Sequence, residues 1–248
     1  MKKIGILAKR ELGGLFYSPI GYLVLTAYLA IMGILFAMFV MSPGTAADMR
    51  QMFSWSHLAL IFVVPLMTMG LLSEEYNTGR MEMLRTSPLT EMDIVLGKYL
   101  GALGFFAALV GSTLVYVLLL AIYGKPDYGS VLASYVGLLL MGSLFVSIGL
   151  FFSACTRYQI VAAMGSFIVL AVLGILMDAA AWFVASFLSM SNWFWRFLRD
   201  LTQYLAFRPH MEQFSKGILE SRDVFFFLTG TLLFLFLTYL VLESRKWR

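Results

Sequence analysis

The sequence predicts an all-α membrane protein with six transmembrane helices, and three observations carry that prediction. Of the 248 residues, 60% are hydrophobic and only 13% charged, where a soluble domain carries roughly 25% charged residues. Six apolar stretches each have the length needed to cross ~30 Å of hydrocarbon at ~1.5 Å per residue. The charges behind the net +4 gather in small groups at the ends of those stretches, as membrane-flanking anchors do. Lipid is what covers this much apolar surface, and the scattered cations exclude a nucleic-acid-binding face.

The first element, within residues 1–18, is an amphipathic surface helix. On a helical wheel Ile4, Leu7, Leu12, Leu15 and Phe16 share one side, and Lys2, Lys3, Lys9 and Arg10 share the other. Glu11 falls among the apolar residues, where an unpaired carboxylate is costly, so it requires a cationic or hydrogen-bonding partner. Pro19 suits the corner at which the chain turns into the membrane. The first apolar run is too long for a signal-peptide core and lacks a small-residue cleavage site, so the start reads as retained.

The spans follow at Ile20–Met41, Trp55–Ser73, Gly97–Tyr123, Ser130–Ala154, Ile160–Leu188 and Val224–Leu242. An even number puts both termini on one side. With those termini in the cytoplasm, eleven of the eighteen Lys and Arg residues lie inside and seven outside, which supports that orientation. Five of the outer seven lie between the fifth and sixth spans, in the segment 189–223. There Phe194, Phe197, Leu198, Leu201 and Leu205 recur at helical spacing, Pro209 interrupts, and Met211, Phe214 and Ile218 form a second apolar series. The pattern predicts two short helices lying in or dipping into the outer interface. The lone Cys155 falls in a short cytoplasmic turn and offers neither a disulfide nor a multi-cysteine metal site.

The densest mixture of charges lies between the second and third spans, in the loop 74–96. Arg80 to Thr86 can form a short helix with Met81, Leu84 and Arg85 on one side, and Pro88 ends it. Thr90, with Asp93 three residues on, resembles a capping box for the next helix. Composition alone leaves open whether this is an ordinary hairpin connection or a docking element.

The loop resembles the coupling region of type-2 permeases of ATP-binding-cassette exporters through Glu74, Gly79, Glu82, Leu84, Pro88, Leu89, Thr90, Asp93 and Lys98. Arg80 departs from the small residue expected after the glycine. Lys9-Arg10-Glu11-Leu12 with Ser18-Pro19 and the ending Leu242-Glu243-Ser244-Arg245-Lys246-Trp247 are similar to the same class. Phe214-Ser215-Lys216-Gly217-Ile218 with Arg222-Asp223-Val224 is similar, more narrowly, to the gliding-motility-type permease subfamily. The resemblance implies one permease domain over 1–248 in the bacterial inner membrane, with both termini cytoplasmic and residues 1–18 as a connecting helix. It implies Glu74, Glu75, Gly79, Arg80, Glu82, Leu84, Arg85 and Pro88 as ATPase-coupling residues, with Arg10 and Glu11 on the connecting helix. Its partners would be a cytoplasmic ATPase, a second copy or a paralogous permease, membrane lipid, and an auxiliary protein with an extracytoplasmic domain. ATP and Mg would be bound by that ATPase and no cofactor by this chain, which contains no Gly-x4-Gly-Lys-Ser/Thr sequence.

Asp178 is the one acidic residue well inside a predicted span and is a site for a proton or cation, or a polar end-cap. His57 with Met38, Met41, Met49 and Met52 could suggest a soft-metal path, but no cysteine joins them and methionine is a common apolar filler, so no metal site is assigned. Pro65 is expected to kink the second span. No nucleophile or paired carboxylates suggest enzyme chemistry. Two other functions stay open: an ion-coupled secondary carrier working through Asp178, and a non-transporting scaffold of a surface apparatus such as gliding machinery.

Overall fold

The computed structural model describes residues 2–41, 49–86, 89–123, 127–187 and 193–245, and every regular element among them is a helix. α1 (Lys2–Tyr17) runs to Ser18, whose side chain accepts the Ile20 amide hydrogen and starts α2 (Pro19–Phe39), with proline in its first position. That places the proline where its missing N–H costs nothing. α3 (Arg50–Thr68) and α4 (Gly70–Asn77) form the second span in two pieces. The short α5 (Arg80–Thr86) and the capped α6 (Glu91–Ser112) follow, and α7 (Leu114–Tyr123) completes the third span. α8 (Tyr128–Cys155) is the fourth span, and the fifth comprises α9 (Gln159–Ala171), a π-helical turn at Val172–Leu176, and α10 (Met177–Phe187). α11 (Trp193–Leu205) and α12 (Phe207–Ser215) precede the last span, α13 (Ser221–Ser244).

Six helices or helix pairs are long and apolar enough to cross a membrane, matching the six predicted spans. Spans two and four form the interior, since 72% of their most apolar stretch is buried against 17% for span six. α8 is the central post, contacting α3, α6, α9, α12 and α13. α1 lies along α6, and the end of α13 returns to the same end of the bundle, where the Arg245 guanidinium donates to the Cys155 carbonyl and covers the Tyr76 ring.

The breaks inside spans were not predicted in detail. α3 ends three residues past Pro65, whose carbonyl accepts the Met69 amide hydrogen. The backbone at this break is satisfied from a neighbouring span: the Ser153 hydroxyl accepts from Leu72 N–H (2.9 Å) and Ser73 N–H (3.1 Å) and donates to the Met69 carbonyl (2.9 Å). A polar side chain doing this is how a membrane helix tolerates interruption. Gly149, one turn earlier on α8, faces Thr68, and a β-carbon there would fall 2.0 Å from the threonine hydroxyl oxygen.

Between spans five and six two helices form, as predicted, but Pro209 does not interrupt them. The break is at Ala206, and Pro209 stands in the first turn of α12, where a missing N–H leaves no hydrogen bond unmade. Phe207, Met211 and Phe214 are fully buried against the bundle, while Ile218 is exposed. α12 packs on α3 and α8, so its apolar face enters the protein and not the lipid interface.

Candidate functional site

The predicted coupling residues and the surface helix meet at the end of the bundle that carries α1 and the end of α13. Two glycines four residues apart on α6 make the approach possible. A β-carbon at Gly97 would lie 2.6 Å from the Leu7 side chain, and one at Gly101 would lie 2.7 Å from Glu11 Cβ and 2.9 Å from the Ala8 carbonyl oxygen. This pair, readable from sequence as a close helix contact, receives the chain's own α1.

Close approach brings Glu11 to a cation. Lys98 Nζ, on α6 one residue from Gly97, lies 3.3 Å from Glu11 Oε1 and 2.9 Å from Glu75 Oε1, and the lysine side chain is 1% exposed. Arg10 closes the group from the solvent side, 3.0 Å from Glu11 and 3.6 Å from Glu75. Two cations and two carboxylates thus hold together α1, the end of span two and the start of span three. The second oxygen of Glu75 is buried with no hydrogen-bond partner among the described residues, which makes the carboxylate more dependent on Lys98. The cluster lines a cleft of about 830 Å³ whose other walls include Ile6, Leu15, Ile20 and Leu66.

Glu74 faces elsewhere. Its carboxylate takes Arg80 at 2.7 Å and the Gln159 amide at 3.3 Å, both at the surface. Between them Gly79 adopts φ +72°, a left-handed conformation that glycine enters without strain, just past the end of α4. The turn is further tied by Arg80 Nε donating to Thr78 Oγ1 at 3.0 Å. α5 starts there, joining α4 to α6 along the chain, with Met81 buried and Glu82 exposed. Thr90 accepts the Asp93 amide hydrogen while Asp93 accepts that of Thr90, the reciprocal cap expected from the sequence. Of Leu84 and Arg85 only the helical backbone is described, and Pro88 lies outside the described residues.

At the opposite end Asp178 stands in the first turn of α10, directly after the π-helical turn, 3.2 Å from Nε2 of the buried His57. His57 was set apart by sequence only beside methionines, and no cluster of three or more His, Cys, Asp or Glu side chains forms a metal site among the described residues.

Sequence reasoning named Lys98 only as part of a motif and did not expect it to join Glu11 to Glu75. The available signal was Glu11 itself, a carboxylate on an apolar face. Comparison with known proteins adds one result: the family described as ABC-2 family transporter protein matches residues 45–247. No individual curated protein matches the chain.

Proposed function

The chain belongs to the ABC-2 family of transporter proteins, and from that premise we propose that it couples ATP hydrolysis by a separate cytoplasmic ATPase to substrate export or force transmission. The observation that carries the reading is the buried Lys98, bonded at once to Glu11 of α1 and Glu75 of α4. α5 joins α4 to α6, the two elements that carry Glu75 and Lys98. An ATPase subunit pressing on α5 displaces α1, α4 and α6 together, because separating them would leave a charge buried without its partner, at roughly 3–5 kcal/mol. The α3–α4 break, bridged by Ser153, is where span two can re-angle while its amides keep a partner.

In this reading α1 is the connecting helix on the cytoplasmic surface of a bacterial inner membrane, and α5 is the coupling helix. Glu74, Gly79, Arg80, Glu82, Leu84, Arg85 and Pro88 form the surface offered to the ATPase, while Arg10, Glu11 and Glu75 anchor it from within. ATP and Mg belong to the ATPase. A second permease copy or a paralogue completes the translocation path across a two-fold axis. The narrower resemblance to gliding-motility-type permeases supports a second reading, a non-transporting scaffold that anchors a surface apparatus.

The test is affinity purification from native membranes, repeated with residues 79–86 replaced by a neutral linker. A P-loop ATPase that co-purifies with the natural chain and is lost with the linker supports the reading. ATP-independent transport by the purified chain would instead support an ion-coupled carrier. Intact assembly without substrate-stimulated ATPase activity would support a scaffold.

A further inference from the structure

The chain has two histidines, and each faces a backbone carbonyl with one ring nitrogen and an aspartate with the other at the end of the bundle opposite α1. His57 Nδ1 lies 2.9 Å from the Ser54 carbonyl and Nε2 lies 3.2 Å from Asp178 Oδ2. His210 Nε2 lies 2.9 Å from the Tyr204 carbonyl and Nδ1 lies 2.7 Å from Asp223 Oδ1. A carbonyl oxygen only accepts, so in each ring one nitrogen must donate to it, leaving the other nitrogen facing a carboxylate. That second contact is a hydrogen bond only if it also contains a proton. At His210 the second contact is a hydrogen bond and at His57 it is an approach within ion-pair distance, and a proton held between ring and carboxylate completes each pair.

The pairs fasten the same piece of chain. His210 joins α12 to α13 and, through Tyr204, to α11, while Asp178 fastens α10 to His57 on α3. The π-helical turn at Val172–Leu176 ends two residues before Asp178. α12 itself lies against α3 and α8 with Phe207, Met211 and Phe214 buried. Two guanidinia stack on rings beside the pairs: Arg208 over the Trp55 ring that stacks with His57, and Arg222 over the Tyr204 ring that meets His210 edge-on. The second oxygen of Asp223 is buried with no hydrogen-bond partner among the described residues.

We propose that the α10–α12 segment is a proton-dependent latch: it seats on the bundle while His57 and His210 are doubly protonated, and it releases when each pair loses one proton. The opened rings face water and surrender that proton, and each aspartate keeps its charge. The seated state therefore binds one more proton per pair than the released state, and raising the pH lowers the seated-to-released ratio by up to about tenfold per pH unit per pair. The inference does not depend on ATPase coupling.

The test uses the full chain in lipid nanodiscs with ¹⁵N-labelled histidine, which gives two rings to follow, and amide exchange of residues 207–215 corrected for intrinsic base catalysis. At pH 6 both nitrogens of both rings should carry hydrogen. Between pH 6 and 9 each ring should lose one proton as protection of 207–215 falls at least tenfold. Asp178→Asn with Asp223→Asn supplies amide hydrogens to neutral rings, so that variant should stay protected across the range; each single variant should retain half of the pH response. Rings singly protonated at pH 6, protection that does not change with pH, or an Asn variant as pH-sensitive as the natural chain would each overturn the latch.

Discussion

Lys98 and Glu75 meet at 2.9 Å across the two spans that flank α5, with the lysine side chain almost fully buried. Removing either residue takes from the other its shortest ion pair in a nearly buried site. This is why the contact fixes relative position and not merely net charge.

Replacing the lysine alone should therefore be severe. Lys98→Met should destabilise the protein by roughly 3–5 kcal/mol, because Glu11 and Glu75 lose their one buried cation and keep only the exposed Arg10. Combining it with Glu11→Gln and Glu75→Gln should recover most of that loss. Thermal unfolding in detergent checks both, and ATPase stimulation should remain low in the triple variant, since the link between α1 and α4 is gone.

The two adjacent glutamates should behave differently. Glu74→Ala removes a surface pair with Arg80, worth about 0–1 kcal/mol, so unfolding should barely change while ATPase coupling falls. Glu75→Ala should lower both. Equal unfolding temperatures for the two variants would contradict the assignment of Glu75 to the interior cluster and Glu74 to the docking face.

Gly101→Leu should lift α1 from α6. Even a β-carbon there meets Glu11 Cβ at 2.7 Å and the Ala8 carbonyl oxygen at 2.9 Å, and overpacking of this kind costs about 1–3 kcal/mol. The diagnostic readout is a distance between spin labels on α1 and α6, which should lengthen in the variant.

Ser153→Ala should cost about 1–3 kcal/mol by leaving amides at the α3–α4 break without their acceptor. Hydrogen exchange should rise at Leu72 and Ser73 and stay unchanged in the middle of α8.

Much of the fold was legible because hydropathy is a local property. Six spans, the amphipathic α1, the cap at Thr90 and the short helix after Gly79 each follow from residues within one or two turns of one another. The centre of the site was half legible: Glu11 announced that it needed a partner, but which cation answered depended on the packing of α1 into the Gly97–Gly101 notch. The far end was less so. Asp178 and His57 were each visible as odd residues, but their pairing joins segments 121 residues apart, after a π-helical turn for which the sequence carried no signal. His210 went unremarked and Asp223 was noted only within the Arg222-Asp223-Val224 motif, although a histidine amid Phe207, Met211 and Phe214 was the available clue. The role assigned to Pro209 failed because proline reads as a breaker by itself, whereas in a first helical turn it is harmless.

The central claim is that the helix Arg80–Thr86 is where an ATPase pushes. A photo-crosslinking amino acid at the exposed Glu82, in the assembled complex in native membranes, tests it directly, with the same probe at the exposed Phe197 on α11 as the opposite-end comparison. Covalent capture of a P-loop ATPase from position 82 and not from position 197 is the result predicted. Capture from position 197 instead, or no ATPase from position 82 in an active complex, would contradict it.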